Sequence, residues 1–144
     1  MAEYLATVAA GLWAGAAIYI AFCEHPSALK VGVGFATDYF RPMSKRTAPL
    51  MMILSAVGGI AGVYAWWNNG IIGWLTGGLL LLAMFPLTGI LIVPTNLKLL
   101  KVDAISSPKE AQQLHTRWGR MHWLRTIVGA PAFLIFLCLL VSGS

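Results

Sequence analysis

Four long apolar runs alternate with polar segments along the chain, at about 4–23, 47–67, 74–93 and 124–142. Each is about 20 residues, which at about 1.5 Å per residue spans a hydrocarbon core of about 30 Å. Within lipid a backbone satisfies its own hydrogen bonds only as a helix or a closed barrel, so these runs predict transmembrane helices. The expectation is an all-α, integral membrane four-helix bundle forming a single domain over residues 1–144. The first run does not read as a cleaved leader. It opens Met1-Ala2-Glu3 without a basic stretch and ends in Glu24-His25-Pro26 rather than small residues, so a retained helix is expected.

The polar segments set the expected ends. Pro26 should stop helix 1, and residues 24–46 read as a loop. Pro94-Thr95-Asn96 should end helix 3, with Asn96 as its cap. Pro86 and Pro131 should kink helices 3 and 4. Ser107-Pro108-Lys109-Glu110 combines an N-cap, a proline at the first helical position and a glutamate three residues after the cap. An amphipathic, interfacial helix over about 108–122 should therefore start there and run into helix 4. Gly11/Gly15, Gly58/Gly62 and Gly73/Gly77 are GxxxG pairs, which favour close helix packing and permit a homo-oligomer.

Composition supports lipid as a partner. The chain is 58% hydrophobic and only 10% charged, with mean hydropathy +0.76. Soluble domains carry about 25% charged residues. The net charge of +5 does not suggest nucleic acid, because all ten basic residues fall in, or at the edge of, the two long loops. Those loops are 24–46 and 94–123, with Arg125 just inside helix 4. The opposite side carries only Glu3. The positive-inside rule then places both loops in the cytoplasm, both termini outside, and the protein in the cell (inner) membrane. Trp66, Trp67 and Trp74 flank the short outer turn and read as an interfacial belt. Cys23 and Cys138 form no metal or redox motif and are expected at different depths, unpaired.

Polar chemistry concentrates at one level. At 100° per residue, His115, Trp118, His122, Arg125 and Gly129 share an arc of about 80°. Exposing such a stripe to lipid is costly, so it should face the bundle. Glu24-His25-Pro26, Pro94-Thr95-Asn96 and this stripe reach the same cytoplasmic-side depth, which is how a half-buried polar pocket would be built. Tyr39 and Arg41, expected in the first loop, would cover it. A plainer expectation is that Glu24 pairs with Arg125 or Arg41 and only closes the bundle. His115 and His122 are seven residues apart, about 10.5 Å along a helix, too far to share one ion. If a metal or haem were bound, the ligands would come from His25, Glu24 and His122.

The pieces Gly15-Ala16-Ala17-Ile18-Tyr19, Glu24-His25-Pro26, Pro86-Leu87-Thr88, Pro94-Thr95-Asn96 and Trp118-x3-His122-x2-Arg125 occur in this order over nearly the whole chain. In this the chain resembles the anthrone oxygenase-like family of four-helix membrane proteins. The resemblance implies a cofactor-independent monooxygenase that oxidises an apolar aromatic molecule, of anthrone or quinol type, with molecular oxygen. It implies His122 as base, Arg125 as oxyanion partner, and Glu24 or His25 orienting or replacing the base. Asn96 and Trp118, with His115, Arg41 and Tyr39 around them, would bind the aromatic ring. The competing expectation is a non-enzymatic protein that holds haem, a metal ion or a lipophilic ligand in the same pocket.

Overall fold

The computed structural model describes residues 1–143. It is all-α, with four helices long and apolar enough to cross a membrane. These are α1 (Ala2–Val31), α2 (Val33–Asn69), α3 (Ile72–Lys101) and α4 (Pro108–Ser142). All four exceed the apolar runs, so the polar segments are mostly helical too. Pro26 does not end α1, and Pro94-Thr95-Asn96 does not end α3.

The reason is the same in both helices. A π-helical turn at Ile20–Glu24 precedes Pro26, and another at Thr88–Ile92 precedes Pro94. Each π turn restarts the hydrogen-bond ladder, so each proline falls in the first turn of a new α segment. There the missing N–H has no helical partner to lose. Asn96 is consequently inside a helix and caps nothing.

The predicted first loop contracts to Gly32. Its φ of 147° suits a residue without Cβ and breaks α1 from α2. Tyr39 and Arg41 therefore stand on α2 rather than in a loop. At the opposite end, left-handed Gly70 (φ 73°) closes α2 by donating its N–H to the Trp66 carbonyl at 2.7 Å. α3 is interrupted at Ala83, three residues before Pro86, whereas α4 runs unbroken through Pro131. Ahead of α4, Asp103 accepts bonds from the Ser106 hydroxyl at 2.7 Å and the Ile105 N–H at 3.0 Å. These donors hold its carboxyl below the usual carboxylate range.

Glycines decide how the helix halves nearest the Gly70 turn pack. A Cβ on Gly78 would meet the Gly59 carbonyl at 2.9 Å and the Val63 backbone nitrogen at 3.0 Å, so α2 and α3 touch through backbone. Gly62 leaves room for the Phe136 ring and the Gly78 backbone, and Gly77 accommodates Phe136. Trp74 is fully buried and stacks on Phe136, with ring centroids 5.1 Å apart. It belongs to the core and not to an interfacial belt, while Trp67 is 77% exposed. Of the three GxxxG pairs, Gly58/Gly62 and Gly73/Gly77 make close contacts, whereas the space beside Gly15 is open. Cys23 and Cys138 are free and exposed.

This contrast sets a test. Gly78→Ala should cost about 1–3 kcal/mol through overpacking against backbone that cannot yield. Gly15→Ala should leave stability unchanged or slightly raised. Thermal unfolding of both variants in the same detergent makes the comparison. Equal midpoints would contradict the backbone contact.

Candidate functional site

The helix halves far from the Gly70 turn enclose two polar sites separated by the Trp118 ring. His115, Trp118, His122, Arg125 and Gly129 are all buried on one face of α4. Gly129 leaves space for the Trp13 ring of α1, against which any Cβ would collide. Trp13 in turn lies beneath the Arg125 guanidinium, 5.9 Å from its centroid.

At the first site, Arg125 Nη2 is 3.0 Å from His122 Nδ1, and His122 Nε2 is 3.0 Å from the Ala17 carbonyl of α1. A guanidinium only donates and a carbonyl only accepts. His122 Nδ1 therefore accepts, Nε2–H donates, and the imidazole is neutral in a fixed tautomer. His122 is 1% exposed and Arg125 8% exposed. Arg125 has no carboxylate partner: among the described residues the ion pairs are the N-terminus with Glu3 and Arg41 with Asp38. Its Nε also lacks a partner. Trp118 stacks on His122 at 4.9 Å and 13°, and donates its Nε1–H to Asn96 Oδ1 at 2.7 Å.

Arg125, His122, Asn96 and Trp118 line one narrow cleft, with about 40 Å³ of free space. Ile20, Met43, Met51, Met52, Thr88 and Ile92 supply most of its apolar wall. The buried Thr88 hydroxyl is without a partner. The cleft is thus apolar, with two underused donors.

The second site holds Glu24, His25, Tyr39 and His115, which line a smaller cavity with Phe40 and Met43. Glu24 accepts a short hydrogen bond from the Tyr39 hydroxyl, and pairs with neither arginine. The Thr37 hydroxyl donates to the Val33 carbonyl at 2.8 Å, so its oxygen accepts His115 Nε2–H at 3.2 Å. His115 Nδ1 then keeps a buried, unshared lone pair, and His25 Nε2 is likewise buried without a partner. The His25 ring lies 4.9 Å from Trp118 and 5.7 Å from His115, and Gly119 leaves it room. No group of three or more His, Cys, Asp or Glu among the described residues is arranged to hold a metal ion.

Arg41 belongs to neither site. It donates to the Val102 carbonyl at 3.0 Å and to Asp38 at 3.3 Å. The site roles of Trp13, the Ala17 carbonyl, Thr88 and Gly119 escaped the reading of the sequence, although Ala17 and Thr88 fall in the motif pieces. A backbone carbonyl leaves no trace in sequence. Trp13 left one, since a tryptophan midway along a span cannot serve an interfacial belt.

A four-helix membrane protein with a buried, uncompensated cation in an apolar cleft is the class this fold and site define. The family model described as Anthrone oxygenase matches residues 39–135, and the chain belongs to that family. No curated protein and no solved structure matches the chain. The matched span includes Thr88, Asn96, Trp118, His122 and Arg125, while Ala17, Glu24 and His25 precede it.

The Asn96–Trp118 bond is directly testable. Asn96→Ala should shift the Trp118 indole N–H resonance and cost about 0.5–1.5 kcal/mol. An unmoved indole resonance would show that the bond does not form.

Proposed function

We propose that this protein is a membrane-embedded oxygenase of anthrone- or quinol-type aromatics, working without a cofactor by acid–base chemistry in the Arg125–His122 cleft. The observation that carries this is the Arg125 guanidinium, buried without a carboxylate. A buried charge is expensive unless compensated. A substrate oxygen that becomes anionic during reaction supplies the missing partner. The family membership supports the reaction class, and the apolar wall suits a flat aromatic body.

The hydrogen-bond chain suggests an order of events. The substrate carbonyl oxygen takes over the Arg125 N–H that His122 Nδ1 held. The freed Nδ1 lone pair removes a proton from the activated methylene carbon. Negative charge moves to the oxygen facing Arg125, and the imidazolium keeps its bond to the Ala17 carbonyl. Dioxygen then adds at the deprotonated carbon, forming a C–O bond, and is reduced to the peroxide level. The peroxide takes the proton back from His122. His122 next removes the second hydrogen of that carbon as the O–O bond breaks. Hydroxide departs and leaves with that proton as water. One methylene and one O2 thus give one carbonyl and one H2O. Thr88 offers its hydroxyl to the peroxide, and Asn96 holds the Trp118 ring against the substrate face. Glu24, Tyr39, His25 and His115 act as a second, neighbouring polar group that orients Trp118 and holds protons near it.

We further assign the basic ends of the helices to the cytoplasmic face of the inner membrane and both termini to the opposite face, with residues 108–122 at the interface. The cleft then sits at the inner edge of the hydrocarbon layer.

Oxygen uptake by purified protein in bilayers, with an anthrone as substrate, tests the reading. Wild type should consume one O2 per quinone formed. Arg125→Met should lower kcat by about 10²–10³, the usual cost of losing an oxyanion donor. His122→Ala should remove the activity while the helical circular dichroism persists. Uptake that survives both substitutions would exclude this cleft as the site of chemistry.

A further inference from the structure

The cleft has a mouth, and its position says where the substrate comes from. Its floor is buried and comes from α1, α4 and the inner faces of α2 and α3. Its partly exposed lining is confined to α2 and α3, with Thr47, Ala48 and Met52 on one side and Thr88 on the other. The gap therefore lies between α2 and α3. Toward the outer side these helices are clamped by Gly59 and Gly62 against Gly78. Farther in, α2 does not pack closely on the π-helical Thr88–Ile92 before it meets α3 again at Val93–Lys101.

Depth and surroundings identify what the mouth faces. Counted at about 1.5 Å per residue from the outer turn, Met52 and Thr88 lie about 25 Å down their helices, and Ser44 and Asn96 about 37 Å. A hydrocarbon core is about 30 Å thick. The mouth thus begins inside the acyl-chain layer and ends at the interface. Its flanks are exposed apolar side chains, Leu50 and Ile53 on α2 and Phe85 and Ile90 on α3. The direct route from water is plugged. Phe40, Leu99, Val102 and Trp118 pack as one buried cluster at the inner end. Arg41 ties α2 to the Val102 carbonyl beside it.

We propose that the cleft opens sideways into the bilayer between α2 and α3, and that its aromatic substrate enters from the acyl-chain layer rather than from the cytosol. This rests on the catalytic reading above for the identity of the occupant, though the direction of opening does not. The occupant is a flat, largely uncharged aromatic carrying an oxygen at the end that reaches Arg125. Three methionines on α2, Met43, Met51 and Met52, line the passage with flexible, polarizable side chains suited to such a body.

The test places a bimane fluorophore at Ala48→Cys in a Cys23→Ala, Cys138→Ala background reconstituted in bilayers. Ile53→Cys, on the lipid-facing flank, is the control that any fold-intact preparation must satisfy. Acyl-chain-brominated phospholipid should quench the label at position 48 several times more strongly than aqueous iodide. Added anthraquinone should relieve the bromine quenching at 48 and leave position 53 unchanged. Stronger quenching by iodide would show a mouth open to water and overturn the proposal. Bromine quenching at 48 that anthraquinone leaves untouched would mean a lipid-filled crevice, and would overturn it equally. If the wild type consumes no oxygen with any anthrone, the catalytic reading fails while the quenching still reports the direction of opening.

Discussion

Helices in lipid are not driven together by the hydrophobic effect, since acyl chains are as apolar as leucine, and they associate where their surfaces fit closely. The backbone contact of Gly59 with Gly78, with Phe136 filling the space left by Gly62 and Gly77, is that fit here. It fixes the halves of α2, α3 and α4 nearest the Gly70 turn against one another. Trp13 lying over Gly129 fixes α1 to α4 in the same way. Clamped there, and tied again at the far end where Phe40 packs with Leu99 and Arg41 bonds the Val102 carbonyl, the helices leave the polar cleft in the gap between.

What fills that room follows from charge. A guanidinium at this depth would ordinarily be matched by a carboxylate, and Glu24 is the candidate that the sequence places at a similar depth. It bonds Tyr39 instead. Arg125 rests on the Trp13 ring and donates to a neutral imidazole. Both partners compensate the charge weakly, and neither cancels it. A carboxylate would have held the cation and raised the cost of diverting it to a substrate. A neutral histidine accepts the same hydrogen bond and surrenders it to a stronger acceptor. The consequence is reciprocal, because the event that draws Arg125 away also uncovers the Nδ1 lone pair.

Much of this was legible from the sequence, and the limits have physical causes. The length of the apolar runs identified four spans, and the shared arc of His115, Trp118, His122, Arg125 and Gly129 identified the inward face of α4. Helix ends were misread because proline was taken as a terminator. Pro26 and Pro94 are carried through by π turns, whose hydrogen-bond shift has no residue signature. Trp74 was read as an anchor because it borders a turn, yet Gly77 beneath it makes room for Phe136, on which it stacks. The separation of Glu24 and His25 from the Arg125 cleft was not visible either. Depth along each helix can be counted from sequence, but the Trp118 ring between the two sites is a matter of rotamer and packing.

The two π turns also bear on why the cleft lies where it does. Irregular backbone is tolerated at membrane depth only where it is buried in protein or lines a cavity. Ile20, at the start of the first π turn, and Thr88 and Ile92, at the two ends of the second, all line the Arg125 cleft. The Ala17 carbonyl that orients His122 sits three residues before the first. Local widening of a helix displaces its side chains and loosens its hydrogen-bond ladder, and π turns recur at functional sites for that reason. In this chain the device that lets α1 and α3 continue past their prolines is also the one that shapes opposite walls of the cleft. Straightening either helix by replacing Pro26 or Pro94 would remove the need for the π turn, and with it the register that brings the Ala17 carbonyl to His122 or Thr88 to the cleft.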